Sequence, residues 1–266
     1  NVIVEGLRRL EYRGYDSAGV AVANNGVIEC RKKAGKVADL EAEIADNPIA
    51  SSKLGIGHTR WATHGGPTDA NAHPHVVGDG RMAVVHNGII ENFSALKAEL
   101  VDKGYRFLSE TDTEVAGTLL LDIYDKEAGG DLTRAMQLTA QRLEGAFTLL
   151  AIHADHPDRI VAARWNSPLV IGVGENENFL SSDVAGFIEF TRDAVEMDNG
   201  QIVTLTADGY EVCDFEGNPA EAKPFTVEWD VTAAEKGGFS SFMEKEIHDQ
   251  PSAVRDTLYG LSLIHI

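Results

Sequence analysis

An α+β architecture, with sheets packed together and helices covering them, is expected from three features of the amino-acid sequence. An amphipathic opening stretch leads into an Asn-Gly hairpin signal. Helical periods fill the middle of the chain, and from Gly145 onward short β-prone runs alternate with closely spaced turn signals.

Taken in order, Ile3, Leu7 and Leu10 recur at helical spacing with charged residues on the other face, which predicts a helix ended by Gly14. The apolar run Ala18 to Ala23 and the run Val27 to Arg31 flank Asn24-Asn25-Gly26, a signal for two antiparallel strands. Lys36 to Ala45 reads as a helix, Leu54 to Thr59 and Met82 to Val85 as strands, and Glu91 to Lys103 as a helix. Thr111-Asp112-Thr113-Glu114 has the form of a capping box before the apolar-rich Val115 to Tyr124, and Thr133 to Leu143 makes a further helix. His156-Pro157-Asp158, Glu175-Asn176-Glu177-Asn178, Asp198-Asn199-Gly200 and Ala207-Asp208-Gly209 punctuate the remainder as turns between antiparallel strands. One domain is expected over 1–236, followed over 237–266 by a polar, helix-prone linker.

Composition narrows the function classes. The 266 residues are 43% hydrophobic and 24% charged, which excludes disorder and collagen-like structure. With 23 Lys and Arg against 42 Asp and Glu, a net charge of -19 opposes binding to nucleic acid or anionic membrane. No apolar run approaches the roughly 20 residues that span a bilayer. Cys30 and Cys213 lack the spacing of a disulfide framework or a zinc site, so a cytoplasmic setting is the expectation.

Polar, ring-bearing and glycine residues concentrate between His58 and His86, which hold five of the nine histidines together with Arg60, Trp61, Thr63 and Asn71. Three readings compete. His73 and His75 offer a weak metal signal with no third ligand at a diagnostic spacing. A polar loop whose histidines are satisfied by backbone is the plain alternative. The third is a substrate pocket in which the planar fork of Arg60 binds a carboxylate. Just beyond, Val84 to Gly88 reads as a buried strand running into a turn. There the amide of Asn87 and the backbone N–H of Gly88 can present two donors to one oxyanion, although Asn-Gly is also a common turn. Asp112 suits a helix N-terminus and also a substrate ammonium group, so Arg60 with Asp112 would fit an amino acid. Arg13, within Tyr12 to Ser17, is read either as a surface residue or as part of a packed junction.

Together these segments resemble the glutaminase domain of the glutamine-fructose-6-phosphate aminotransferase (glucosamine-6-phosphate synthase) family. The likeness rests on LRRLEYRGYDSAG (Leu7 to Gly19), HTRWATHG (His58 to Gly65), NAHPH (Asn71 to His75), VHNGIIEN (Val85 to Asn92) and SETDTE (Ser109 to Glu114). SPLVIG (Ser167 to Gly172), SSD (Ser181 to Asp183) and MEKEIHDQP (Met243 to Pro251) extend it over nearly the whole chain. The resemblance implies an N-terminal-nucleophile hydrolase, a four-layer α-β-β-α sandwich that hydrolyses the side-chain amide of glutamine without a cofactor or metal. It implies that Asn87 and Gly88 form the oxyanion hole, and that Arg60 holds the α-carboxylate of glutamine while Asp112 meets its α-ammonium. Thr63 and His64 would line the pocket, with His73 in support. Trp61 would belong to a mobile closing loop, and Arg13 would order the nucleophile.

The resemblance also implies an N-terminal cysteine nucleophile in a Cys-Gly-Ile-Val-Gly strand. It implies too a sugar isomerase domain that binds fructose 6-phosphate, and a homo-oligomer in the full-length protein. Against that pattern the chain starts inside the first helix at Asn1, and LSLIHI (Leu261 to Ile266) does not match. The expectation is therefore a glutaminase domain trimmed at both ends and inactive as written. A catalytically dead glutamine-binding module and another class II amidotransferase, such as amidophosphoribosyltransferase, are the alternatives.

Overall fold

The computed structural model describes residues 2–24, 26–228 and 242–261, with side chains of 243–255 in the last stretch. The chain divides into two compact units, Asn1–Val227 and Glu228–Ile266. The expected boundary between 236 and 237 lies outside the described residues. The second unit contains helix α6 (Phe242–Leu261), with Pro251 inside it. No helix among the described residues is long and apolar enough to cross a membrane.

In the first unit the opening stretch forms α1 (Val2–Leu10), a 3₁₀ turn (Glu11–Arg13) and then Gly14 at φ 91°. The hairpin follows as β1 (Ser17–Asn24) and β2 (Val27–Ala34), in register across Asn24 and Val27. Next come α2 (Val37–Asp46), β3 (Leu54–Arg60), β4 (His75–Val77), β5 (Met82–Ile90) and α3 (Phe93–Asp102). Helices α4 (Asp112–Lys126) and α5 (Leu132–Ala140) precede β6 (Gly145–His153) and β7 (His156–Trp165). The remaining strands are β8 (Val170–Val173), β9 (Asn178–Ser181), β10 (Asp193–Glu196), β11 (Gln201–Thr206), β12 (Tyr210–Asp214) and β13 (Lys223–Thr226).

Two local expectations are corrected. His156-Pro157-Asp158 opens β7 rather than turning, because the reversal is made one step earlier at Ala154 and Asp155. The capping box at α4 is half formed. Thr111 Oγ1 accepts from Glu114 N at 3.2 Å, but the Glu114 carboxylate turns to Leu108 N, Ser109 N and Ser109 Oγ, where three donors of the preceding loop await it.

Four packed clusters reveal four layers. Val4, Leu7, Val37 and Leu40 of α1 and α2 pack on Ala18 and Val20 of β1. The opposite face of β1, at Ala21 and Ala23, packs on Ala83 and Val85 of β5. Met82 and Val84 on the other face of β5 then meet α4 through Leu119 and Leu120. A separate cluster joins Ile171 and Val195 to Val203 and Leu205. Because β1 and β5 are covered on both sides, their apolar runs are continuous instead of alternating.

The inner layer beneath α3, α4 and α5 is a six-stranded sheet, β12-β11-β7-β6-β5-β4. The layer facing it is split into a three-stranded sheet, β2-β1-β3, and a four-stranded one, β13-β10-β8-β9. Each of β3 and β9 pairs on one side only among the described strands. A cavity of about 540 Å³ has both edges in its wall, together with Ile3 and Leu7 of α1 and Leu150 of β6. Helix α1 can lie this close to β3 because Gly55 and Gly57 have no Cβ. A Cβ there would come within 2.7 Å and 2.4 Å of the Ile3 side chain.

Candidate active site

The cavity gathers most of the residues expected to act together. Arg13, Arg60, Trp61, Thr63, His64, His73, Asn87, Gly88 and Asp112 all line it, drawn from the 3₁₀ turn after α1, the end of β3, the loop after it, β5 and the first turn of α4. Neither cysteine does. Cys30 lies in β2 with its thiol pKa pushed up to about 11 by burial, and burial likewise raises that of Cys213.

Asn87 and Gly88 stand side by side near the end of β5. Gly88 sits at φ 123°, and a Cβ would fall 2.0 Å from the Ala146 carbonyl oxygen of β6, so only glycine fits. The Asn87 Oδ1 atom accepts a 2.8 Å bond from His58 Nε2. A carboxamide oxygen has no proton to give, so the His58 ring must carry its proton on Nε2.

Arg60 is buried at the end of β3 and is committed to local structure. Its Nη1 donates to Asp16 Oδ1 and Gly66 O at 3.3 Å each, and its Nη2 donates to the carbonyls of His64 and Gly65. Asp16 also accepts from Ala62 N. Arg60 and Asp16 thus clamp the loop 61–66. Trp61 projects from that loop, 68% exposed, with its ring against Gly14.

Asp112 is buried, and its Oδ2 accepts from Ile90 N at 3.0 Å, tying the first turn of α4 to the end of β5. His64 Nδ1 and His86 Nδ1 stand 3.8 Å and 3.9 Å from its carboxylate. Arg13 is not a simple surface residue. It donates to Ser182 Oγ at 3.0 Å and Asp183 Oδ2 at 2.7 Å, which joins the 3₁₀ turn after α1 to the segment after β9.

Behind these side chains lies a buried imidazole cluster. The rings of His58 and His73 are 4.8 Å apart, as are those of His73 and His75. His73 Nε2 and His86 Nδ1 both reach Thr113 Oγ1, at 2.7 Å and 3.1 Å, and Thr113 in turn donates to Asp112 Oδ1 at 3.4 Å. A hydroxyl that donates to the carboxylate must accept from both rings, so the remaining nitrogens, His73 Nδ1 and His86 Nε2, are unprotonated. Those same atoms, with His58 Nδ1, are buried with no hydrogen-bond partner among the described residues. Burial lowers the pKa of His58, and that of His73 and His75 well below the usual value, while His86 falls to about 4 despite the opposing pull of Asp112. The cluster is neutral near pH 7. His73 and His75, the pair with the weak metal signal, have their Nε2 atoms on Thr113 and Thr111.

A family profile for the glutamine amidotransferase domain matches residues 42–216. The chain belongs to this family. Among relatives of this amidotransferase domain, the glutamine–fructose-6-phosphate aminotransferase [isomerizing] of Corynebacterium efficiens is 75% identical over 98% of the chain. The proteins of the same name from Streptomyces coelicolor and Mycobacterium tuberculosis are 59% and 51% identical, over 98% and 97% of the chain. The chain spans 42%, 42% and 43% of their respective lengths. In solved structures, glutamine phosphoribosylpyrophosphate amidotransferase from B. subtilis matches with TM-score 0.67 at 22% identity, over 82% of this chain and 47% of its own. A structure described as the allosteric regulatory enzyme of purine biosynthesis matches with TM-score 0.68 at 23% identity over the same shares. Likeness at that level speaks for the fold, and it agrees with a four-layer α-β-β-α sandwich.

Several participants escaped the sequence reading. Asp16 was within a noted motif, yet nothing local signals its grip on Arg60. His58 was one histidine among five, and Thr113 was read only as part of a helix cap. Spacing could not reveal them, since their partners lie 27 to 46 residues away.

Proposed function

We propose that this domain hydrolyses glutamine to glutamate and ammonia as the glutaminase part of a glutamine–fructose-6-phosphate aminotransferase. The observation that carries the reading is the meeting of Asn87, Gly88 and Asp112 in one cavity, within a chain 75% identical to a protein of that name. In this reading a cysteine thiolate attacks the side-chain carbonyl carbon of glutamine, and the charge that develops on oxygen is met by Asn87 Nδ2 and the Gly88 N–H. The cysteine's α-amino group, having taken the thiol proton, passes it to the leaving nitrogen as the C–N bond breaks, so ammonia departs, and water hydrolyses the thioester to glutamate and free thiol. Asp112 would pair with the α-ammonium. Arg60 would supply the positive charge for the α-carboxylate once the loop carbonyls give way.

Both cysteines lie outside the cavity, so the nucleophile in this reading is the N-terminal cysteine that the resemblance implies. The one-sided edges of β3 and β9 on the cavity wall, with Val2 beside them, offer an extended Cys-Gly-Ile-Val-Gly strand a place to pair. Fructose 6-phosphate as acceptor, a cytoplasmic setting and homo-oligomerisation follow from the same reading.

The test is glutamate release by a version carrying that N-terminal segment. Release should be glutamine-dependent and should fall about 10² to 10³-fold in kcat on Asn87→Ala. A folded protein that binds glutamine and releases no glutamate would favour the dead binding module instead.

A further inference from the structure

His58 stands at the end of β3, on the sheet facing β5, and its role is unassigned by the reading above. Its ring is part-buried, it packs against His73 at 4.8 Å, and a hydrogen bond runs from Nε2 to Asn87 Oδ1 at 2.8 Å. That bond decides which end of a carboxamide faces the cavity. An amide can rotate through half a turn with little change in shape, and rotation would exchange a donor for an acceptor. With Oδ1 held by an N–H, Nδ2 is the end left for the cavity. With Oδ1 turned inward, the site would present a lone pair to a developing negative charge.

We propose that His58 is a positioning residue, which donates its Nε2–H to Asn87 Oδ1 and so locks Asn87 Nδ2 toward the oxyanion. The inference rests on the assignment of Asn87 as an oxyanion donor. It requires the neutral ring protonated at Nε2; the burial of His58 supports neutrality, and the bond to Asn87 Oδ1 sets the tautomer. His58 moves no proton in the reaction. The chain of bonds through Asn87 is also polarised in the useful sense, because an N–H drawn to Oδ1 leaves Nδ2 a better donor.

The kinetic experiment uses the chain with the N-terminal nucleophile segment. His58→Leu should lower kcat about 10- to 100-fold while KM stays within about threefold, since the interaction matters only as charge develops. His58→Gln, whose amide N–H can take the place of Nε2, should recover most of the loss, whereas the shorter His58→Asn should not. If His58 acts through Asn87, adding His58→Leu to Asn87→Ala should cost no further kcat. Loss of kcat in Asn87→Ala with an unchanged His58→Leu, or with multiplying losses in the double variant, would overturn the inference and leave the oxyanion reading standing. An unchanged Asn87→Ala would overturn the oxyanion reading itself, and the positioning role with it. Should His58→Leu fail to fold, the contrast between His58→Gln and His58→Asn carries the same decision. Independently of activity, nitrogen-15 spectra of the chain as it stands should show His58 protonated at Nε2 and bare at Nδ1. The opposite tautomer refutes the proposal.

Discussion

Acidification should unfold this domain through its buried imidazoles, and His86 allows the size to be worked out. Its pKa lies at about 4 in the folded state, against 6.5 when exposed. Between those values the unfolded chain binds the extra proton, so stability rises with pH across that window, is fully present above 6.5, and is lost as pH falls toward 4. At pH 5 the unfolded imidazole is nearly all charged and the folded one about a tenth, which corresponds to about 2 kcal/mol from this residue alone. The burial of His58, His73 and His75 acts in the same direction. His86→Asn keeps an N–H near the place of Nδ1, where it can still donate to Thr113 Oγ1, but cannot titrate. Urea unfolding followed by circular dichroism at pH 7.5 and pH 5 should therefore show the wild type losing about 2 kcal/mol more than His86→Asn. Titration of the carboxylates away from His86 is common to both proteins and cancels. Equal losses would refute the assignment of His86 as a neutral, desolvated group.

Three further outcomes follow from the geometry. Gly88→Ala forces a side chain into a left-handed backbone and onto the Ala146 carbonyl, and should cost more than about 2 kcal/mol in urea unfolding. Asp112→Asn removes the charge offered to an ammonium group. It should weaken glutamine binding about 10- to 100-fold by calorimetry, with affinity for a glutamine analogue lacking the α-amino group little altered. Thr111→Ala removes the helix cap that accepts from Glu114 N, and the partner of His75, and should lower stability by about 1 kcal/mol or more in the same unfolding assay.

Where a feature depended on neighbours in sequence, it could be read directly. The helical spacing of Ile3, Leu7 and Leu10, the hairpin of β1 and β2 and the apolar run of β5 each reflect local backbone preference or the burial of a short segment. The three-residue strand β4 was invisible, since His75-Val76-Val77 is too short to show a period and becomes a strand only by pairing with Met82 to Val84. The turn before β7 falls at Ala154 and Asp155 and not at His156 to Asp158 for the same reason, as a cross-strand register with β6 overrides the signal from Pro157.

The kinds of side chain at the site, and the likeness to glutaminase domains, were thus legible in order along the chain. Which of them touch was not. Packing two sheets face to face between helices brings His58 to Asn87 and Thr113 to two histidines, while the pairing of β1 with β3 brings Asp16 to Arg60, and the edges of β3 and β9, one-sided among the described strands, lie on the wall of one cavity. Local sequence sets the conformation of each segment. Contacts between segments 27 to 44 residues apart arise only when strand pairing and burial of apolar faces fix the segments against one another, and the site is made of such contacts.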